Sequence, residues 1–316
     1  MSVDSVSVSG EGTRPAGTPS PLTLTTDTNT VPRPDLTICL VSWNVWSDLR
    51  ACLLSLRENP GLAVQIIVVD NASADGTVAG VRAEFPEVEL IVNAANRGFA
   101  AASNQALAAG AGRYLLLLNP DTLVPPHGLE ELLACADQHP EAGIVGPQLR
   151  YPDGRLQYSA RHFPTLSAAM FRNTWLGRRF PRARALQQYL MTDWDHTEVR
   201  EVDWVSGAAL LIRREAYAQL GPLDERFYWG SEDVDYCWRA HQAGWKVLYT
   251  PTPRIVHAVG RSSDQAVRRT ILNTHRSMYR LYCKHLARNP LSCALIYVAV
   301  WVRAGLLLLP LWLRRR

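Results

Sequence analysis

From residue 36 onward the chain alternates between two rhythms of apolar and polar positions. Short, mostly apolar runs at 36–41, 65–70, 88–92, 114–118 and 143–146 read as strands, the one at 114–118 wholly apolar and so buried on both faces, as in a sheet covered by helices. Between them lie stretches with helical spacing. One places Leu49, Cys52, Leu53 and Leu56 on a single face, another is the small-residue run 100–109, and a third is amphipathic over 128–135. Strand and helix patterns in alternation predict a doubly wound, mostly parallel α/β sheet. The strands end in Ser42-Trp43-Asn44, in Asp70 and in Asn119-Pro120-Asp121. Right-handed crossovers bring such ends to one edge, where open α/β sheets bind ligands.

The rhythm breaks at 155–200, a stretch rich in Arg and aromatics with Pro164 and Pro181, which predicts a long functional loop or lid. A strand over 204–212 follows, then a short helix over 214–220 stopped by Gly221-Pro222. A helix opens at Glu232-Asp233 with Ser231 as its expected cap, and short strands fall at 246–249 and 254–256, before His257. Residues 1–34 hold little to bury and are expected to be a disordered tail. Three regions result: the tail, an α/β domain over 35–263, and C-terminal helices over 264–316.

Composition changes this picture in two places. The 316 residues, 47% hydrophobic and 20% charged, suffice for a full core, yet 254–316 carries 12 Lys and Arg against a single acid, Asp264. Over 265–288, Ile271, Thr274, Met278, Leu281 and Tyr282 share one helical face with cations around the other side, a pattern suited to an anionic membrane surface. The run 291–313 is long enough to span a bilayer, but Arg303 near its middle favours an in-plane anchor. No nucleic-acid module accompanies the arginines, so nucleic acid is not an expected partner. Six cysteines without a C-x-x-C pair read as reduced core thiols, favouring a reducing compartment, and the N-terminus shows no secretory signal.

The carboxylates carry the candidate chemistry. Asp121, delivered at the end of the most apolar strand, is placed to hold a cation, or alternatively to cap the helix near Gly128. Asp70 would be costly at a buried strand end without a ligand or a capped turn. Glu232 and Asp233 fit either a base or favourable charge at a helix N-terminus, whereas Asp235 is expected to face elsewhere.

Six collinear segments, Val41-Ser42-Trp43-Asn44, the stretch Val69-Asp70-Asn71-Ala72-Ser73-Ala74-Asp75-Gly76-Thr77, Asn96-Arg97-Gly98-Phe99, Leu118-Asn119-Pro120-Asp121, Ser206-Gly207-Ala208 and Glu232-Asp233-Val234-Asp235, resemble the family 2 inverting glycosyltransferases of the GT-A fold. Together with 155–164 they are similar to its rhamnosyltransferase branch, which builds cell-surface polysaccharide. The resemblance implies Asp121 and His257 as ligands of Mg²⁺ or Mn²⁺, and Asp233 as the base, with Glu232 as the alternate. It implies Ser42, Asn44, Asp70, Asn71, Asp75, Asn96, Arg97, Gly98, Asn119 and Gly207 around a nucleotide-sugar, although Asp75 and Arg97 are equally natural turn residues. The sequence departs from the family's usual D-x-D, having Asn119 where the first carboxylate stands.

The implied reaction moves L-rhamnose from a dTDP-sugar to a glycan or lipid-linked acceptor at the cytoplasmic face of the membrane. A UDP-sugar donor for hexosyl or galactofuranosyl transfer is the neighbouring reading, and a non-catalytic nucleotide-sugar-binding scaffold the more distant one. A nucleotidyltransferase would want a Gly-rich phosphate loop after the first strand, which Ser42-Trp43-Asn44 is not.

Overall fold

The computed structural model describes residues 33–172, 174–258 and 267–313. Most of the expected tail therefore lies outside the described residues, as do Asp264 and Arg314-Arg315-Arg316. Arg33 and Pro34, assigned to the tail, are instead tied to the body: Arg33 Nε donates to the Ala111 carbonyl (2.7 Å) and Arg113 N–H to the Pro34 carbonyl (2.9 Å).

Four strands, β1 (Leu36–Ser42), β2 (Val64–Asp70), β3 (Glu89–Val92) and β4 (Tyr114–Leu118), lie parallel in the order β3-β2-β1-β4. Their connections are α1 (Trp46–Arg57), α2 (Thr77–Glu84) and α3 (Phe99–Ala109). Side chains of alternating parity along β4 feed two cores. Tyr114, Leu116 and Leu118 pack with α1, α2 and α4 (Gly128–Gln138), while Leu115 and Leu117 pack with α3. That double burial is why the run is apolar without interruption. The alanines of α3 let that helix lie close on the sheet.

Beyond β4 the sheet is mixed. β11 (Ala209–Arg213) runs antiparallel between β4 and β6 (Ala142–Arg150), followed by β12 (Lys246–His257), which is parallel to β6, and by β5 (Thr122–Leu123). Two helices, α8 (Arg214–Leu220) and α9 (Glu232–Gln242), join α3 on its face. The strand expected over 204–212 is broken. β10 (Trp204–Val205) pairs instead with β8 (Ala160–Arg161), and Ser206-Gly207 turns the chain into β11. The two short strands expected around 246–256 are one strand whose register shifts between Thr250 and Arg254, where prolines interrupt the ladder.

The expected loop at 155–200 is an ordered insertion. It holds β7 (Leu156–Gln157) and three helices, α5 (Leu166–Phe171), α6 (Trp175–Arg179) and α7 (Arg184–Leu190). Thr165 Oγ1 accepts from Ala168 N–H (3.1 Å) and Thr174 Oγ1 from Gly177 N–H (3.3 Å), capping α5 and α6.

The C-terminal part comprises α10 (Val267–Leu281), a π-helical turn (Tyr282–Leu286) and α11 (Pro290–Leu313). Here the structure corrects two expectations. Cys283 and Cys293 are joined as a disulfide, whereas Cys39, Cys52, Cys135 and Cys237 are the buried free thiols. The apolar face of α10 is turned inward, because the cations beside it are used within the fold. Arg269 donates to Tyr228 (2.9 Å), Arg280 to the Arg226 carbonyl, and Lys284 pairs with Asp224 (2.8 Å) and Asp235 (2.6 Å). α11 keeps an outward apolar side of Leu291, Leu295, Val298, Val302 and Leu306. Residues 290–309 form one helix long and apolar enough to cross a membrane.

Candidate active site

A cleft of about 1330 Å³ opens at the carboxyl ends of the parallel strands. It is lined by Asn71, Asn96, Asn119, Asp121, Asp233 and His257. Asp121 and Asp233, 112 positions apart in the chain, thus share one wall system because of sheet register. β11 begins where β4 ends, with Ala209 opposite Leu118 and Asn119 N–H donating to the Ala208 carbonyl (2.9 Å). Gly207 therefore sits beside Asn119. Its N–H donates to Asp233 Oδ2 (3.0 Å), and a Cβ there would come within 3.3 Å of Asp233 Cβ. Val234 N–H holds the other oxygen, Oδ1 (2.8 Å). Asp233 is thus fixed by two backbone donors at the N-terminus of α9. Ser231, the expected cap, has φ +74° and makes no side-chain cap bond.

His257 reaches Asp121 by the same logic. β5 and β12 pair with His257 opposite Thr122, and Ala258 N–H donates to the Asp121 carbonyl (2.9 Å). His257 Nε2 lies 3.4 Å from Asp121 Oδ1 and 3.3 Å from Asn119 Nδ2. Gln157 Nε2 donates to the His257 carbonyl (2.7 Å), so its Oε1 accepts from His257 Nδ1–H (3.0 Å). That bond fixes the tautomer and leaves the Nε2 lone pair facing Asp121. An imidazole nitrogen and a carboxylate oxygen, held from behind, fit a divalent cation of the Mn²⁺ or Mg²⁺ type. No group of three or more His, Cys, Asp or Glu side chains suited to a metal occurs among the described residues. Remaining positions would fall to diphosphate and water.

The other predicted residues divide into two sets. Asn71 and Asn96 line the cleft within a closed network: Asn71 Oδ1 accepts from Arg97 N–H (3.0 Å), Asn71 Nδ2 donates to Asn96 Oδ1 (3.1 Å), and Tyr228 OH donates to the same oxygen (3.0 Å). Gly98 has φ +87° with Tyr228 packed against it, so a Cβ would sit 2.7 Å from that ring. Asn44, Asp75, Arg97, Asp70 and Ser42 stand outside the cleft lining and shape the loops around it. Asn44, at φ +53°, accepts from Ala74 N–H (2.7 Å). Asp75 accepts from Trp46 N–H (2.8 Å) and Thr77 N–H (3.1 Å), joining the starts of α1 and α2. Asp70 accepts from Ser73 N–H (3.0 Å), while its Oδ1 and the neighbouring Ser42 hydroxyl are buried without a hydrogen-bond partner among the described residues.

Glu232, the alternate candidate, is 7% exposed and does not line the cleft, whereas Asp233 does. Burial, and then the neighbouring Asp233 charge, push the Glu232 carboxyl up to about 8. Asp235 faces away, as expected, onto His285 (2.6 Å), Lys284 and Arg239 (3.2 Å). Gln157 and Tyr228 are the functional residues that motif reading missed. Gln157 stood within the 155–164 segment, but nothing in sequence shows a pairing that spans 100 positions.

The sequence model of glycosyl transferase family 2 matches residues 37–217. An N-acetylglucosaminyl-diphospho-decaprenol L-rhamnosyltransferase of Mycobacterium tuberculosis is 32% identical over 255 residues, covering 77% of this chain and 82% of that protein. Among solved structures, the Pyrobaculum calidifontis mannosyltransferase PcManGT in complex with GDP-Man and Mn²⁺ superposes with a TM-score of 0.53 at 19% identity, over 86% of this chain and 70% of that one. GalNAc-T7 with UDP, GalNAc and Mn²⁺ gives 0.54 at 18% identity, over 72% and 43%. The fold is a GT-A-like α/β fold with a mixed sheet.

Proposed function

This chain belongs to glycosyl transferase family 2, and from that footing we propose that it is a metal-dependent inverting rhamnosyltransferase of cell-envelope glycan synthesis. Its donor is dTDP-L-rhamnose and its acceptor a lipid-linked glycan, met at the cytoplasmic face of the membrane. The single observation that carries the reading is that Asp121 and Asp233 line one cleft, one beside His257 and the other anchored by Gly207 and Val234. The mycobacterial relative's name supports the sugar and the lipid carrier, and the outward apolar side of α11 supports the membrane seat.

In this reading Asn71, Asn96 and the loops held by Asn44 and Asp75 receive the nucleotide. Asp121 and His257 would hold Mg²⁺ or Mn²⁺, which when bound supplies Lewis-acid neutralisation of the charge that grows on the leaving diphosphate. Asp233 takes the proton of the acceptor hydroxyl as that oxygen bonds to C1 from the face opposite the diphosphate. The electron pair of the broken C1–O bond departs with the nucleotide. The backbone bonds to both Asp233 oxygens keep it aimed, and the burial of Glu232 leaves Asp233 the carboxylate of the pair that lines the cleft.

Incubating the full chain with dTDP-L-rhamnose, Mn²⁺ and a polyprenyl-diphosphate-linked N-acetylglucosamine acceptor tests the proposal. A rhamnosylated lipid and dTDP in equal amounts are expected. Transfer from UDP-hexoses with none from dTDP-rhamnose would reassign the donor.

A further inference from the structure

Past Asp233 the same cleft continues between the insertion helices and α10 and α11. Four arginines line it, Arg161, Arg172, Arg178 and Arg303, and three of them are linked to one another. Arg161 lies over the Trp204 ring (4.8 Å) and against Tyr189 (5.9 Å). Arg172 packs on the other side of the contact, 5.4 Å from the Tyr189 ring, and donates Nη1 to its hydroxyl (2.8 Å). Arg303 comes from α11, where the run is otherwise apolar, and turns inward to donate Nη2 to the Arg172 carbonyl (2.7 Å). All three line the cleft. So does His275, 3% exposed, whose Nδ1 donates to the Ile271 carbonyl (2.6 Å) while its Nε2 is buried without a hydrogen-bond partner among the described residues.

Some neighbouring cations are neutralised: Arg226 and Lys284 pair with Asp224, and Arg239 with Asp235. Arg161, Arg172 and Arg303 form no ion pair with a carboxylate among the described residues. Gathering like charges in a partly dry chamber, with only the Asp233 carboxylate near Arg161 to offset them, opposes folding. The arrangement makes sense when an anion with several oxygens is a regular occupant, since the guanidinium fork matches phosphate oxygens two at a time. None of the three arginines comes from the β1–β4 half, where the strand-end asparagines stand.

We propose that this chamber is the subsite for the diphosphate linkage of the lipid-carried acceptor. The proposal rests on the glycosyltransferase reading and names what that reading leaves open. Seated there, the diphosphate directs the acceptor sugar toward Asp233, on the Arg161 side. Its hydrocarbon chain then leaves on the Arg303 side, along Met278 and Leu307 of the cleft wall toward the exposed face of α11. Arg303, which by sequence argued against a full span for 291–313, thereby becomes the inward-facing residue of a helix whose other side meets lipid.

The test is equilibrium binding of farnesyl diphosphate to the full chain in detergent, without any nucleotide-sugar, so that its outcome is independent of the donor. Farnesol serves as the uncharged probe, inorganic pyrophosphate as the free anion, and phosphatidylglycerol vesicles as the bulk-lipid source. Farnesyl diphosphate is expected to bind at least tenfold more tightly than farnesol or pyrophosphate. Arg172→Ala and Arg303→Ala should each weaken it tenfold or more, and Arg172→Lys should recover part of the loss, with melting temperature reporting on the fold. Equal binding by wild type and Arg172→Ala overturns the proposal, as does equal loss of UDP affinity in that variant, which would make the arginines part of the donor site. Displacement of the probe by phosphatidylglycerol at matched headgroup concentration would mark a phospholipid site and overturn it too.

Discussion

At the strand-end side of the cleft, Asn71, Asn96 and Gly98 spend their polar atoms on one another and on Tyr228, while Asp75 and Asn44 are held by neighbouring backbone amides. On the helical side, Arg161 and Arg172 both lie against Tyr189 and Arg303 bonds the Arg172 carbonyl, with none of the three ion-paired to a carboxylate among the described residues. The first arrangement is closed before any ligand arrives and costs no reorganisation when one does. The second leaves most of its charge without an ion-pair partner, so its stability and its occupancy are linked. In the proposed function these become a rigid nucleotide half and an open acceptor half, which suits a small soluble donor and an acceptor drawn from a membrane.

Several substitutions would break or sharpen this contrast. The largest effect is expected at the boundary between the halves. Asp121→Ala should lower transfer by about 10²–10³-fold, EDTA should do the same to wild type, and added Mn²⁺ should rescue only wild type in a steady-state assay. Next comes the closed half. Gly98→Val must adopt φ +87° and enter the space of the Tyr228 ring, so calorimetry should register a loss of about 2–3 kcal/mol together with weaker nucleotide binding. On the helical side, Lys284→Ala removes one of the partners of buried Asp235 and one of Asp224. Denaturant melts should show a loss of about 1–3 kcal/mol, with nucleotide affinity unchanged because Tyr228 keeps Asn96 in place.

The smallest effect is a pH dependence. The Glu232 carboxyl sits at about 8 in the folded chain against an ordinary 4.5. The folded state therefore binds the proton more tightly than the unfolded chain does. Its contribution is whole below pH 4.5 and is lost progressively as pH rises toward 8. Glu232→Gln should flatten that decline by a few kcal/mol at most, visible as melting curves of variant and wild type that diverge between pH 5 and 8.5. Parallel curves would show that burial of Glu232 is relieved in solution.

The strand-end half was legible in the sequence because its signals are local. Apolar runs gave the strands, Gly98 and the Asn-rich turns gave the rim, and Asp121 followed from the end of a run buried on both faces. The other half depends on long-range register. The turn at Ser206-Gly207 exists because Gly207 must meet Asp233, and the strand expected over 204–212 hides it. The apolar stripe of α10 has the period of a membrane-surface helix, yet Lys284 and Arg269 find acids and hydroxyls within the fold, which turns that stripe inward. The Cys283–Cys293 bond likewise joins segments whose turn could not be read from spacing. Helical period tells which side of a helix is apolar, not what lies against it.

The central claim is that Asp233 receives the acceptor proton while the nucleotide is held elsewhere. Single-turnover transfer by Asp233→Asn, measured beside its calorimetric nucleotide affinity, tests it most directly. The account predicts wild-type affinity for the nucleotide diphosphate with transfer reduced by about 10³-fold or more; transfer at the wild-type rate would contradict it.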